Sequence, residues 1–292
     1  MPVGNPVGKK GIKAVLQGIA ANALLAALKL LVGITGNSFA LIADAIESVS
    51  DIFTSLIVWI GLKAASKAPD HDHPYGHGKA EPIAAILVSL ALFLAAILIA
   101  IESVQRIFTT HTVPAPYTLV ILAVVIVIKE ILYRRVNNVA VDINSISVKA
   151  DAMHHRSDAI TSLVAFIGIS IAVIGGPGYE SADKWAALIA AAIIAYNAFH
   201  IFTPAFNELM DSAPDKAFDD HIRHIASQVK GVRGLDKSRI RKTGFEYFVD
   251  LHVVVDGGMS VREGHEIAHR VKDAIQKEMP EVYDVLVHIE PE

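Results

Sequence analysis

Six windows of about 20 predominantly apolar residues constrain this chain more than any motif in it. A helix rises about 1.5 Å per residue, so about 20 such residues cover a hydrocarbon core about 30 Å thick. The windows cover residues 12–34, 38–65, 82–108, 117–133, 144–175 and 184–210. Turn or charge signals separate them: Thr35-Gly36-Asn37, the stretch 69–79, Pro114-Ala115-Pro116, Arg134-Arg135 and Gly175-Gly176-Pro177-Gly178. The spacing predicts six membrane-spanning helices.

Charge divides the chain at Asp211. Residues 1–211 hold 29 Asp, Glu, Lys and Arg and residues 212–292 hold 27, in a chain that is 53% apolar with a mean hydropathy of +0.45. The expected architecture is an all-α six-helix transmembrane bundle over 1–211 followed by a small water-soluble domain over 212–292. In the latter the periodicities predict a helix over 215–230, strands over 238–241 and 245–256, a helix over 260–279 and a strand over 282–290. That order, αββαβ, suits a two-layer α+β unit. So small a unit gains from dimerisation or bound metal.

Basic residues set the orientation. Lys9, Lys10, Lys13, Lys63, Lys67, Lys79, Arg134, Arg135 and Lys149 fall in loops on one side, against Arg106 and Lys184 on the other. The excess marks the cytoplasmic face and puts both termini there. Residues 1–10 read as a short tail, without a signal-peptide cleavage site. A net charge of -4 and the lack of a Lys/Arg run exclude nucleic acid as a partner. With no cysteine, disulfides, thiolate sites and cysteine nucleophiles are excluded, leaving His, Asp and Glu as metal ligands.

Ionisable groups at bilayer depth cost several kcal/mol and need a partner or a pathway. Glu47 and Asp51 stand at i, i+4 in the second window, and His154 and Asp158 repeat that spacing in the fifth. Residues so spaced share one helix face, so two facing pairs offer four ligands to one ion. Lys29, Glu102, Lys129 and Glu130 read instead as helix–helix hydrogen bonders or snorkelling groups, and Asp44 as either a ligand or a polar neighbour, kept outside the four. The loop Asp70-His71-Asp72-His73-Pro74-Tyr75-Gly76-His77 fits a surface metal site or a solvated loop equally well. His265-Glu266-Ile267-Ala268-His269 has the spacing of a zinc protease helix, but it lies on a charged soluble helix and lacks the Gly-x-x-His extension.

Together, Ser38-Phe39-Ala40-Leu41-Ile42-Ala43-Asp44-Ala45 leading into Glu47 and Asp51, Tyr75-Gly76-His77-Gly78-Lys79-Ala80-Glu81, His154-His155-Arg156-Ser157-Asp158 and Val287-His288-Ile289-Glu290-Pro291 resemble the cation diffusion facilitator family of divalent-metal transporters, over essentially the whole chain. The resemblance implies a six-helix membrane domain, a cytoplasmic ferredoxin-like domain, a homodimer and proton-coupled export across the cell (inner) membrane. It puts Glu47, Asp51, His154 and Asp158 on the transport site and Asp70, His73 and His77 on a loop site. Asp236, His252, His265, His288 and Glu290 fall on a cytoplasmic metal site, and Lys79 and Asp211 on a charge interlock.

The chain departs from the family at three positions. Glu47 stands where members carry Asp, His or Asn, and Asp236 and Glu290 stand where some carry His and Asp. The family implies no prosthetic group and no enzyme activity. Its cargo would be Zn, Fe(II), Mn, Co or Cd, which is also the regulator, with protons as the counter-ion. A membrane-bound metal sensor or scaffold without flux is the alternative, and an HExxH metallohydrolase a more distant one.

Overall fold

The structure is a computed structural model that describes residues 6–35, 52–53, 55–107, 117–175, 179 and 182–292. Internal packing divides the chain into two units, Met1–Ala205 and Phe206–Glu292. The first unit contains α1 (Pro6–Thr35), α2 (described over Ser55–Ala65), α3 (Ala80–Ile107), α4 (Tyr117–Asp142), α5 (Ile146–Gly175) and most of α6 (Ala182–Leu209). Each apolar window of the sequence overlaps one of these helices. By length and composition alone, Lys10–Leu28 and Ala80–Gln105 are the two described stretches long and apolar enough to cross a membrane.

The fourth helix corrects one expected boundary. Arg134-Arg135 does not end it, and α4 continues to Asp142. Arg is a good helix former, and the Arg134 guanidinium donates from Nε to Glu130 Oε1 at 2.6 Å, one turn back on the exposed face. The helix stops where Asn144 takes a left-handed conformation with φ 49°. Ser145 then starts α5: its Oγ accepts from the Val148 N–H at 3.2 Å, an N-cap arrangement. So short a turn makes α4 and α5 antiparallel neighbours, and their packing is the most extensive between helices of the unit.

A buried carboxylate fixes that turn to α3. Glu81, fully buried in the first turn of α3, accepts from Ser145 Oγ at 2.5 Å and from the Ser147 N–H and Oγ, each at 3.4 Å. The first N–H groups of α5 lack helical partners and carry partial positive charge, so a carboxylate is well placed there.

The second unit takes the last turn of α6, because Glu208 accepts from the Gly244 N–H at 2.9 Å and pairs with Lys242 at 3.3 Å. Its elements are α7 (Lys216–Ser227), β1 (Gly234–Thr243), β2 (Glu246–Val255), α8 (Val261–Glu278) and β3 (Val282–Pro291), in the αββαβ order expected from sequence. Asp215 caps α7, and Ser260 with Glu263 forms a capping box on α8. In the sheet β1-β2-β3, β1 and β2 pair antiparallel and β2 and β3 parallel, the latter requiring the α8 crossover. Ile267, Val271 and Ile275 of α8 and Ile222 and Ile225 of α7 bury one face of the sheet through Val249, Leu251, Val253 and Val285. Residues alternating with these on β2 and β3, among them His252, His288 and Glu290, therefore occupy the other face.

Candidate metal sites

On α5, Asp151, His154, His155 and Asp158 fall at i, i+3, i+4 and i+7, a single stripe along the helix. Both histidines are buried, and His154 Nε2 lies 3.9 Å from Asp158 Oδ2. A metal ion held at about 2.0–2.2 Å from each atom fits that separation. Glu47 and Asp51, the expected partners on the second span, lie outside the described residues, as does Asp44. The side chains of Lys29 and Glu102 are likewise not described.

Of two neighbours of this pair, Asp151 escaped the sequence reading and Lys129 was read without its partner. Lys129 of α4 is 1% exposed and donates from Nζ to Asp158 Oδ2 at 2.7 Å. It is a helix–helix bonder, as one half of the expectation had it, but it does not snorkel. Asp151 is fully buried. Its Oδ1 accepts from Ser55 Oγ of α2 at 2.7 Å, and its Oδ2 lies 3.9 Å from His155 Nε2. Helix α1 approaches this group at Gly18, where a Cβ would stand 3.0 Å from His155 Nε2. Four residues on, Asn22 is fully buried, and neither its amide nitrogen nor its oxygen has a hydrogen-bond partner among the described residues. The signal for Asp151 was its i, i+4 spacing to His155; nothing local marked Asp158 as the partner of Lys129.

The loop residues Asp70, His73 and His77 do come together, offering ligand atoms within 4.8 Å of one another. Asp70 Oδ1 accepts from the His73 N–H at 2.7 Å and lies 3.2 Å from His73 Nδ1, while Oδ2 lies 3.4 Å from His77 Nε2. The His73 backbone bond holds the Asp70 carboxyl below the usual carboxylate range. Gly76, with φ 79°, closes the turn that brings the tilted His73 and His77 rings to 4.3 Å. His71, fully exposed, stays outside the cluster.

Of the five expected cytoplasmic ligands the structure gathers three. Strand register sets His252 beside His288; His252 Nδ1 is 2.6 Å and His288 Nε2 4.0 Å from Glu290 Oε1. All three ligand atoms lie within 4.8 Å of one another. Asp236 sits in the β-bulge between Leu235 and Ser238 and pairs with Lys237 at 3.3 Å. His265 lies on α8, its Nε2 3.2 Å from that of His269 on the exposed face. Among the described residues, neither joins the cluster.

Known proteins match both units. The profile described as "Cation efflux transmembrane domain" covers residues 15–210, and that of "Cation efflux protein, cytoplasmic domain" covers 214–292. The chain belongs to the cation efflux family. It is 33% identical to the manganese efflux system protein MneP of Bacillus subtilis, over 96% of this chain and 95% of that one. It is also 33% identical to metal tolerance protein C1 of Arabidopsis thaliana, over 97% and 63%. Magnetosome protein MamB of Magnetospira sp. is 31% identical over 89% and 88%. Among solved structures, "MamM-CTD 215-293" is 28% identical, covering 26% of this chain and 98% of that one with a TM-score of 0.26. This is the cation diffusion facilitator family indicated by the motifs, a family of metal transporters and not of enzymes.

Proposed function

We propose that this cation efflux protein exports a divalent metal across the cell membrane in exchange for protons. The transport site is His154 and Asp158 of α5 with Glu47 and Asp51 of the second span. The observation carrying the proposal is the buried His154–Asp158 pair, an imidazole and a carboxylate 3.9 Å apart inside an apolar bundle. Three carboxylates and one imidazole form a borderline-hard site that suits Mn, Fe(II), Zn, Co or Cd. Manganese comes first, because a relative similar over nearly its full length is named for manganese efflux.

Protons serve as the counter-ion. Moving a doubly charged ion out against an inside-negative potential costs about 4.6 kcal/mol per 100 mV, and each proton returning offsets half of that. His154 is the coupling residue, since metal binds neutral imidazole and releases any proton it holds. The helices carrying the ligands alternate between inward-open and outward-open packing. Two chains form the working unit. Asp70, His73 and His77 collect metal in the loop, and His252, His288 and Glu290, with Asp236 and His265, sense it in the cytoplasmic unit of 212–292. Both termini are cytoplasmic.

The test is uptake of Mn, Zn, Fe(II) and Cd into proteoliposomes with an imposed pH gradient. His154→Ala and Asp51→Ala should each reduce flux to that of empty vesicles. Flux at the wild-type rate with intact pH dependence in His154→Ala rejects the assignment.

A further inference from the structure

We infer that the Lys129 ammonium is a resident cation of the transport site, holding Asp158 when no metal is carried and yielding that oxygen to the incoming ion. The inference rests on the transport reading of His154 and Asp158 and deepens it. An ammonium inside an apolar helix pair persists only with an anion in contact, and the 2.7 Å bond from Nζ to Asp158 Oδ2 supplies one. Oδ2 is also the atom 3.9 Å from His154 Nε2. A metal shared by these two atoms sits about 2.0–2.2 Å from each, on the oxygen Lys129 already occupies. A doubly charged ion and an ammonium on one carboxylate oxygen repel strongly in so dry a setting, so Nζ must leave Oδ2 as the metal arrives.

The charge balance agrees. On the transport reading the ligands include the carboxylates Glu47, Asp51 and Asp158, whose charge Lys129 and one divalent ion together match, while Asp151 is engaged by Ser55 Oγ and stands outside this count. With the ion released, the ammonium pairs Asp158 again, and the unloaded carrier changes conformation without a bare Asp158 carboxylate in its core. Lys129 is thus a specificity and positioning residue. It competes with metal, which weakens binding, and it promotes release and return.

The experiment uses the full chain, in nanodiscs for binding and in proteoliposomes for flux, with Mn2+ as the probe. Lys129→Gln removes the competitor, so the Mn2+ Kd should tighten by about tenfold or more. Net Mn2+ flux should fall severalfold while Mn2+–Mn2+ exchange, which needs no unloaded return, stays near the wild-type rate. Lys129→Arg keeps a fixed charge and should keep a Kd near that of wild type. An unchanged or weaker Kd in Lys129→Gln, or parallel loss of exchange and net flux, overturns the inference and makes the lysine structural. Should Lys129→Gln survive purification only with Mn2+ present, the metal is replacing the missing charge and the inference stands. Should it fail under both conditions, Lys129→Arg decides: a near wild-type Kd upholds the inference and lost binding overturns it. A wild type that neither binds nor moves any of Mn2+, Zn2+, Fe2+ and Cd2+ defeats the transport reading itself, and one that moves another of these ions than Mn2+ is tested with that ion. A transporting wild type beside a Lys129→Gln that binds no tighter defeats only the role given to Lys129.

Discussion

Glu81 and Lys129 are fully buried in the helical unit, each in contact with polar groups of another segment, whereas His252, His288 and Glu290 of the sheet unit lie on the face turned away from an apolar core. The difference follows from what surrounds each unit. A transmembrane bundle meets hydrocarbon on its outside, so its charged groups lie inward, where each needs a partner. A unit in water leaves such groups at its surface, where they contribute little to stability and remain available to ligands. Buried charges in the first unit therefore help set its packing, while the surface charges of the second are separable from its fold.

The contrast breaks if removing a buried charge proves cheap. Glu81→Ala leaves Ser145 and Ser147 without their acceptor and should cost about 2–3 kcal/mol, read from thermal unfolding of the full chain in detergent. A loss below about 0.5 kcal/mol would mean that water reaches the α3–α5 junction. In the sheet unit the largest surface effect should be smaller. Ser260→Ala removes the cap of α8 and should cost about 1 kcal/mol, seen as faster hydrogen exchange in the first turns of that helix.

The smallest effect sharpens the comparison. Burial at the start of β2 raises the Glu246 carboxyl above its ordinary pKa, so the fold disfavours its charged form. Below the ordinary carboxylate pKa both folded and unfolded chains hold the proton and nothing is lost. Above the raised value the full penalty applies. Glu246→Gln should therefore slow hydrogen exchange of β1 and β2 at pH 7 to 8, by about 0.5 kcal/mol, and leave it unchanged near pH 3. A gain at pH 3 equal to that at pH 7 would show that charge is not the cause.

Much of this molecule was legible as periodicity. The apolar windows located six helices, and the soluble elements emerged in order, because amphipathic spacing is a local property of the chain. The His154–Asp158 pair was legible for the same reason. The continuation of α4 past Arg134-Arg135 was hidden because adjacent basic residues signal a membrane boundary without breaking a helix. The partner of Lys129 was hidden because Asp158 stands 29 residues away on another helix. The cytoplasmic candidates were read as one set of five, yet strand register joins His252, His288 and Glu290 and leaves Asp236 in a bulge.

By itself the sequence determined where the helices lie, which half meets lipid and which ligand types are available, since hydropathy, helical spacing and the absence of cysteine need no partner to be read. Tertiary structure decided which charges meet. Lys129 on Asp158, Ser145 on Glu81 and His252 beside His288 are contacts between separate segments, and only packing and strand register bring such atoms within bonding distance.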